Sequence, residues 1–351
     1  MQGIFGVLFL IVFAWLCSER RDQIDVRFLG IGLFAQFSLA FLFFQVPLIS
    51  DILMSLNFII AAIEAATLEG TRFLFGYLGG GSEPFEVSEG GYLYLFAFRV
   101  LPNVIVFCVL IAVLWYWKIL PKVVTGFGFL LRRVFKVSGA VGTSAAATLF
   151  LGMVETPMII RAYLTKLTRS EFFTVMTCGM STVAGSVMII YANTLSDIIP
   201  GAIGHIVVGS VLNIVGAIYV SRIIVPEDST PTSSDKFEDL GYSSTMDAIT
   251  RGTQDGLKLA LNIGGMLLVI ISLVALVNGV LGLLEISGEP LSLQRMLGWL
   301  FSPLAWLIGV PWSEAHLAGN LMGSKIVLNE MIAFIELAAL GNDLSENSRL
   351  I

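Results

Sequence analysis

The chain has 351 residues, of which 56% are hydrophobic and only 13% are charged. Soluble domains carry about 25% charged residues, so this composition excludes an ordinary water-soluble protein and favours one that lies in a bilayer. The net charge of −6 comes without a long basic stripe, which argues against nucleic-acid binding.

Six apolar runs predict helices that cross or nearly cross a bilayer. About 20 residues span the hydrocarbon core, and only helices satisfy their own backbone hydrogen bonds there. The first run lacks the basic flank and cleavage site of a signal peptide, so we expect it to be retained. The runs are Ile4–Cys17, Phe28–Ile49, Leu93–Trp117, Phe172–Asn193, Ile203–Ile224 and Leu257–Leu284.

The segments between these runs differ in character. Asp51–Leu78 is apolar but contains several charges, which predicts a helix lying along the membrane surface. Gly79–Gly91 reads as a glycine-rich acidic loop, and Val225–Ser244 as a polar linker. Basic residues gather in Glu19–Arg27 and again around Arg132. The positive-inside rule therefore predicts a cytoplasmic loop at Glu19–Arg27 and an N-terminus outside.

The order of elements is repeated along the chain. In the first copy, Leu93–Trp117 is followed by an amphipathic stretch, Lys122–Val137. A short helix of small residues, Gly142–Thr148, then leads to an acidic tip at Gly152–Pro157. Small residues of this kind favour close helix packing.

The second copy repeats this order from Leu257–Leu284 onward. An amphipathic stretch, Leu291–Gly309, precedes a short helix, Glu314–Ile326, and an acidic tip at Asn329–Glu330. The repeat predicts two further spanning helices after Ile351, so we expect the natural chain to continue. Such repeats and broken segments are typical of transporters.

The two acidic tips are the candidate sites. A carboxylate such as Glu155 or Glu330 is costly in the hydrocarbon core unless it has a partner or water. Each tip is therefore either a re-entrant hairpin that faces a polar ligand or a loop at the membrane surface. Thr182–Ser186 could let a helix unwind and offer carbonyl oxygens to a cation. His316 lies near Glu314, where it is either a proton relay or an interfacial histidine.

The tips resemble those of the concentrative nucleoside transporter family. Leu151–Pro157 is similar to that family's G-Q-T-E-A-P hairpin tip, and Asn329–Glu330 to its second tip. The resemblance covers essentially the whole chain. Further similar stretches are Arg161, Ser170–Glu171, Val175–Met176, Thr182–Val187, Phe96–Pro102, Gly309–Trp312 and Lys325.

The resemblance implies an all-α, multi-spanning integral membrane protein with two re-entrant helical hairpins, assembled as a homotrimer. The implied substrate-binding residues face the base or the ribose of a nucleoside, and they are Gly152, Met153, Val154, Glu155, Val187, Asn329 and Glu330. The implied site for a coupling sodium ion comprises Thr148, Leu151, Thr182 and Val183. No prosthetic cofactor is implied.

The implied domain organisation alternates scaffold and transport parts. Its segments are N-terminal scaffold helices at 1–118 with the surface helix at 51–78, a first transport-domain repeat at 119–224 with a hairpin at 140–165, a polar linker at 225–247, a scaffold helix at 248–286, and a second interfacial helix and hairpin at 287–351.

Four positions depart from the family's pattern. Met153 and Val154 stand where the family has Gln and Thr, which leaves base preference open. Thr148 and Thr182 stand where the sodium-coupled pattern has Asn and Ser, so sodium and proton coupling both remain open. The family's polar residues on the helix after the second hairpin have no counterpart before Ile351.

The resemblance implies a secondary transporter that imports nucleosides with a cation across the cytoplasmic (inner) membrane by elevator-like alternating access. A passive nucleoside pore and a non-transporting gate or assembly protein with the same hairpins remain alternatives. An enzyme is disfavoured, since no ATP-binding loop, metalloprotease motif or nucleophile motif occurs.

Overall fold

The computed structural model describes residues 2–45, 62–82, 84–85, 95–151, 156, 160, 163–196, 198–227, 232, 241–286 and 288–351. The helices in those ranges are α1 Gln2–Leu16, α2 Val26–Gln45, α3 62–75, α4 Phe96–Arg99, α5 Leu101–Tyr116, α6 Ile119–Phe135, α7 Gly139–Ala147, α8 Arg169–Ser181, α9 Gly185–Leu195, α10 Ala202–Ile224, α11 Thr245–Leu281, α12 Leu293–Ile308, α13 Trp312–Val327, α14 Glu330–Leu340 and α15 Glu346–Leu350. Strands β1 Glu285–Ile286 and β2 Glu289–Pro290 form one antiparallel pair.

The predicted all-α membrane architecture is confirmed. In the described ranges, four helical stretches are long and apolar enough to cross a bilayer: Val26–Phe43, Phe96–Tyr116, Ala202–Ile224 and Thr245–Leu281. They coincide with four of the six predicted runs. Helix α1 is apolar but shorter than these spans.

The fourth predicted run is not one continuous helix. Helix α8 ends at Ser181 and α9 begins at Gly185, so the expected span Phe172–Asn193 is broken in its middle. The extended backbone of Thr182, with φ −119° and ψ 156°, ends the first helix. The sequence had suggested that Thr182–Ser186 could unwind, and the break lies there.

The last spanning helix begins earlier than its apolar run. Helix α11 starts at Thr245, so polar residues assigned to the linker are helical. The Ser244 hydroxyl accepts a hydrogen bond from the Asp247 amide at 3.1 Å, which caps the helix start. Asp247 and Arg251 form an exposed ion pair at 2.9 Å one turn later.

Parts of several predictions lie outside the described residues, among them three of the segments between the apolar runs. In those three segments, the parts are 51–61 of the surface helix, most of the Gly79–Gly91 loop, and 228–231 with 233–240 of the linker. Within the described ranges, the surface stretch is helical at 62–75 and continues as a short 3-10 turn, Gly76–Gly79.

The helices form two compact units. One unit comprises Ala14–Ile190 and Ile203–Leu261, and its core is built mainly where α6, α7 and α10 pack. The other comprises Met1–Phe13, Tyr191–Ala202 and Asn262–Ile351, with a core around Ala305 and Ala315 of α12 and α13.

Helices α6 and α7 pack with almost no space between their backbones. A Cβ atom on Gly128 would lie 3.0 Å from the Gly142 carbonyl oxygen, and one on Gly142 would lie 2.9 Å from the Gly128 oxygen. Any side chain at either position would push the helices apart. The small residues of α7 therefore allow close packing, as their composition predicts.

Candidate functional site

Helix α7 forms the first arm of the first hairpin, and its nine residues are nearly all buried. Ser138 caps it by accepting a hydrogen bond from the Val141 amide at 3.4 Å. The helix ends at Thr148, which is 1% exposed. Leu151 lies in the turn that follows, and its amide donates a hydrogen bond to the Ala147 carbonyl oxygen at 2.9 Å. The hairpin thus buries a helix end whose last carbonyl groups need partners.

The predicted tip residues Gly152, Met153, Val154 and Glu155 lie outside the described residues. The nearest described neighbour is Thr156, which is 1% exposed and whose hydroxyl donates to the Leu151 carbonyl oxygen at 3.5 Å. The assignment of Gly152, Met153, Val154 and Glu155 to the base of a nucleoside therefore stays a prediction.

The break between α8 and α9 lies against the end of the first hairpin. The Thr182 hydroxyl lies 3.1 Å from the Cys178 carbonyl oxygen and 3.5 Å from that of Thr148. A Cβ atom on Gly185 would lie 2.9 Å from the Phe150 carbonyl oxygen. The end of α7 and the break between α8 and α9 thus meet within one unit.

Two of the four predicted ion ligands, Thr148 and Thr182, are therefore in direct contact. Leu151 is one turn from Thr148, and Val183 follows Thr182 in the break. Hydroxyl and carbonyl oxygens are suitable ligands for a small hard cation. Among the described residues, no group of three His, Cys, Asp or Glu side chains could hold a metal ion, so a cation here would depend on oxygen from Thr and the backbone.

Val187, the other residue predicted beside the base, lies in the first turn of α9. Its amide donates to the Ala184 carbonyl oxygen at 3.1 Å. This places Val187 one turn beyond the break, on the helix that Gly185 brings against the hairpin.

The second hairpin follows a sharp bend between two helices. Helices α12 and α13 meet at an angle of 118°. The bend follows Gly309, whose φ of 127° is a conformation that favours glycine. The predicted amphipathic stretch and the small-residue helix are both present here, with boundaries close to those expected.

Asn329 and Glu330 lie where α13 gives way to α14. The Asn329 side-chain oxygen accepts a hydrogen bond from the Ile332 amide at 3.0 Å, so Asn329 caps α14. Glu330 occupies the first turn, where the helix dipole favours a carboxylate.

Sequence reasoning missed Tyr191, which contacts Glu330. The Tyr191 hydroxyl donates a hydrogen bond to the Glu330 carboxylate. Its ring lies 4.7 Å from the Phe334 ring, centroid to centroid, and Tyr191 is 4% exposed. No spacing signal could have found it, because Tyr191 is one aromatic residue within an apolar run.

The proposed relay between Glu314 and His316 is not seen as a contact. Glu314 instead accepts hydrogen bonds from the Ser345 amide at 3.1 Å and the Ser345 hydroxyl at 2.9 Å. His316 stacks on Trp299 at 6.3 Å. This geometry favours the interfacial alternative for the histidine.

Family models match three stretches of the chain. One described as Na+ dependent nucleoside transporter N-terminus matches residues 5–78, one described as Nucleoside recognition matches 97–197, and one described as Na+ dependent nucleoside transporter C-terminus matches 205–351.

Individual relatives agree with these models. The uncharacterized transporter YutK of Bacillus subtilis is 34% identical over 343 residues, which are 95% of this chain and 81% of that protein. The nucleoside permease NupC of Helicobacter pylori is 35% identical over 337 residues, which are 95% of this chain and 79% of that protein.

Solved structures show the same fold. CNTnw in an inward-facing substrate-bound state has a TM-score of 0.89 and 34% identity over 99% of this chain and 83% of that one. A CNTnw variant in an outward-facing state has a TM-score of 0.88 and 33% identity, with the same coverage.

Apolar spans, an interrupted helix and a sharply bent helix pair are typical of membrane transporters, and the matching family models describe a transporter and not an enzyme. The chain belongs to the concentrative nucleoside transporter family, as its relatives and matching family models show.

Proposed function

We propose that this chain imports nucleosides across the cytoplasmic membrane by sodium symport. The observation that carries the ion assignment is the contact between Thr182, in the helix break, and the Thr148 carbonyl oxygen at the end of the first hairpin. The family models, described as Na+ dependent, support the same ion.

The cation would bind among oxygen atoms of Thr148, Leu151, Thr182 and Val183. Thr148 is almost fully buried, so a charge there must be matched by protein oxygen instead of bulk water. A cation would draw the interrupted helix and the hairpin end together. Binding of the ion and binding of the nucleoside would then favour each other, and this coupling is reciprocal.

The nucleoside would contact the tips of both hairpins. Gly152, Met153, Val154 and Glu155 would face its base, with Val187 beside them. On the second hairpin, Glu330 would accept hydrogen bonds from the ribose hydroxyls, which a carboxylate does more strongly than a neutral group. Asn329 would orient Glu330 by capping its helix.

The transport cycle would be elevator-like alternating access in a homotrimer. Segments 119–224 and 287–351 would carry the hairpins, while 1–118 and 248–286 would form the scaffold and 225–247 the linker. CNTnw structures described as inward-facing, intermediate and outward-facing all resemble this chain, which supports a cycle through such states.

Proton coupling is the second candidate. It is favoured by Thr148, because threonine lacks the longer reach of the asparagine amide that the sodium-coupled pattern has there. Met153 and Val154 concern the preference for a base and not the coupling ion. Their side chains offer a purine or pyrimidine no hydrogen bond.

The test is uptake of radiolabelled uridine and adenosine into proteoliposomes under an imposed sodium gradient or an imposed proton gradient. Ionophores that collapse each gradient identify the driving ion. Saturable accumulation that requires sodium supports the proposal. Accumulation that requires only the proton gradient supports the second candidate, and equilibration without either gradient indicates a passive pore.

Two matched variants test the ion site. Thr182→Val removes the hydroxyl at the break while keeping the shape of the side chain, and should raise the sodium concentration needed for half-maximal uptake. Thr177→Val is the control, because the Thr177 hydroxyl bonds only within its own helix, to the Phe173 carbonyl at 2.7 Å. Equal sodium dependence in both variants would remove Thr182 from the site.

A further inference from the structure

Helix α6 and its two ends form the most basic segment of the described chain. Between residues 118 and 136 there is no Asp or Glu, and the five charged residues are Lys118, Lys122, Arg132, Arg133 and Lys136. The chain as a whole is acidic, with a net charge of −6, so this local excess of positive charge needs its own explanation.

The helix has three faces. At about 100° per residue, Leu120, Val124, Leu131 and Phe135 share one face, and all four are buried in the core.

A second face is apolar yet exposed. It carries Ile119, Val123 and Leu130, each of which is close to half exposed. Lys122 and Arg133 lie on a third face, Lys136 follows as the C-cap of the helix, and all three are exposed. The apolar and basic faces adjoin each other along the helix, an arrangement typical of helices that lie in the membrane interface.

The basic end of α6 lies beside a second cluster of arginine residues, among which Glu19, Asp22 and Asp25 are interspersed. The Phe135 ring packs edge-on against Phe28 at 5.9 Å, centroid to centroid. Phe28 lies in the first turn of α2 next to Arg27, and the loop before this helix holds Arg20 and Arg21. Both clusters are therefore at one membrane side, which the positive-inside rule assigns to the cytoplasm. That leaflet carries most of a membrane's anionic lipid.

We propose that the basic face of α6 binds the headgroups of anionic phospholipids in the cytoplasmic leaflet. Lys122, Arg133 and Lys136 contact lipid phosphate, while Ile119 and Leu130 lie at the boundary with the acyl chains. The charge complementarity and the adjoining apolar face together select a lipid surface over a protein partner. This binding surface is separate from the nucleoside and ion sites.

The test measures lipid selectivity directly. The full chain is reconstituted in phosphatidylcholine bilayers that contain traces of spin-labelled phosphatidylglycerol or spin-labelled phosphatidylcholine. The motionally restricted fraction of each label gives the relative association constant of the two lipids. We expect a preference for phosphatidylglycerol that weakens at high salt and is largely lost in the double variant Lys122→Gln with Arg133→Gln.

Two further variants keep the test decisive. Lys122→Arg with Arg133→Lys retains the charge and should retain the preference. Arg251→Gln with Lys258→Gln removes two exposed charges from α11 and should leave the preference for phosphatidylglycerol unchanged. An unchanged preference in the α6 neutral variant, or an equal loss in the α11 control, would overturn the proposal. If the neutral variant fails to fold, the single variants Lys122→Gln and Arg133→Gln carry the same comparison, each with a smaller loss expected.

Discussion

The hydroxyl of Tyr191 donates a hydrogen bond to the carboxylate of Glu330. The donor lies at the end of the interrupted helix and the acceptor on the second hairpin, both within one compact unit. Phe334 packs on the Tyr191 ring and limits its movement. A carboxylate has about four acceptor positions, so this contact leaves others on Glu330 for a further donor.

Tyr191→Phe should weaken nucleoside binding without preventing assembly. A hydrogen bond to a charged group contributes about 1.5–3 kcal/mol, so we expect the KM for uridine to rise about tenfold or more. Tyr219→Phe is the control, because the Tyr219 hydroxyl donates instead to Gln36, at 2.6 Å. Similar KM values in both variants would show that Tyr191 does not act through Glu330.

Glu330→Gln should greatly reduce uptake while the purified protein elutes as the wild type does. If the carboxylate binds ribose, the wild-type protein should discriminate strongly against 2′,3′-dideoxyuridine, and the variant should lose that discrimination. Near-normal uptake, or retained discrimination in the variant, would refute the ribose role. Competition of each nucleoside with radiolabelled uridine provides the measurement.

Asn329 caps α14, and it is also proposed as a substrate ligand. Asn329→Asp keeps the side-chain oxygen that accepts from Ile332, whereas Asn329→Ala loses the cap at a cost of about 1 kcal/mol. If the residue acts only as a cap, we expect the aspartate variant to transport normally and the alanine variant to lose thermal stability. Loss of uptake in both variants would show that the amide nitrogen is needed.

Gly185→Ala should impair both stability and uptake, because its Cβ would lie 2.9 Å from the Phe150 carbonyl oxygen. Overpacking of this kind costs about 1–3 kcal/mol. Gly209→Ala is the control, since that glycine is also helical but has nothing within 4 Å of the added atom. Thermal unfolding in detergent compares the two variants, and equal melting temperatures would contradict the close contact.

Glu171 should make stability depend on pH. Burial raises the pKa of its carboxyl, but hydrogen bonds from Ser138, Thr232 and Thr168 outweigh burial and bring the pKa below its ordinary value. Because the folded pKa is lowered, the stabilisation is complete above the unfolded pKa of about 4.3 and is lost as pH falls through the folded value.

Glu171→Gln should therefore be less stable than the wild type at neutral pH, and the difference should shrink below about pH 4. Glu346→Gln, at an exposed position, serves as the control. Thermal unfolding at a series of pH values measures both variants. A constant difference between Glu171→Gln and the wild type across that range would contradict the role of the ionised carboxylate.

The spans and the second hairpin could be predicted from sequence, because apolar length and helix-breaking residues act locally. Gly309 and the polar pair Asn329–Glu330 mark breaks that the structure contains. The small residues of α7 likewise predicted the close approach of Gly142 to a neighbouring backbone.

Contacts between distant segments could not be predicted in this way. Nothing around Tyr191 distinguishes it from other aromatic residues in apolar runs, and its partner lies far along the chain. The start of α11 at Thr245 was also missed, because capping by Ser244 extends a helix into residues that read as linker. At Tyr191 and at the start of α11, the local structure depends on hydrogen bonds that the residue composition does not reveal.

The close contact of Gly185 with Phe150 brings two stretches of main chain together beside the proposed ion site. Where two main chains meet this closely, the atoms around a bound ion would include many peptide carbonyls, which every residue type supplies. Replacing side chains one at a time leaves those oxygens in place and changes only their spacing. Amide-to-ester substitution at 148–151 and 182–184, which weakens individual carbonyl acceptors, would identify the coordinating atoms that an alanine scan passes over.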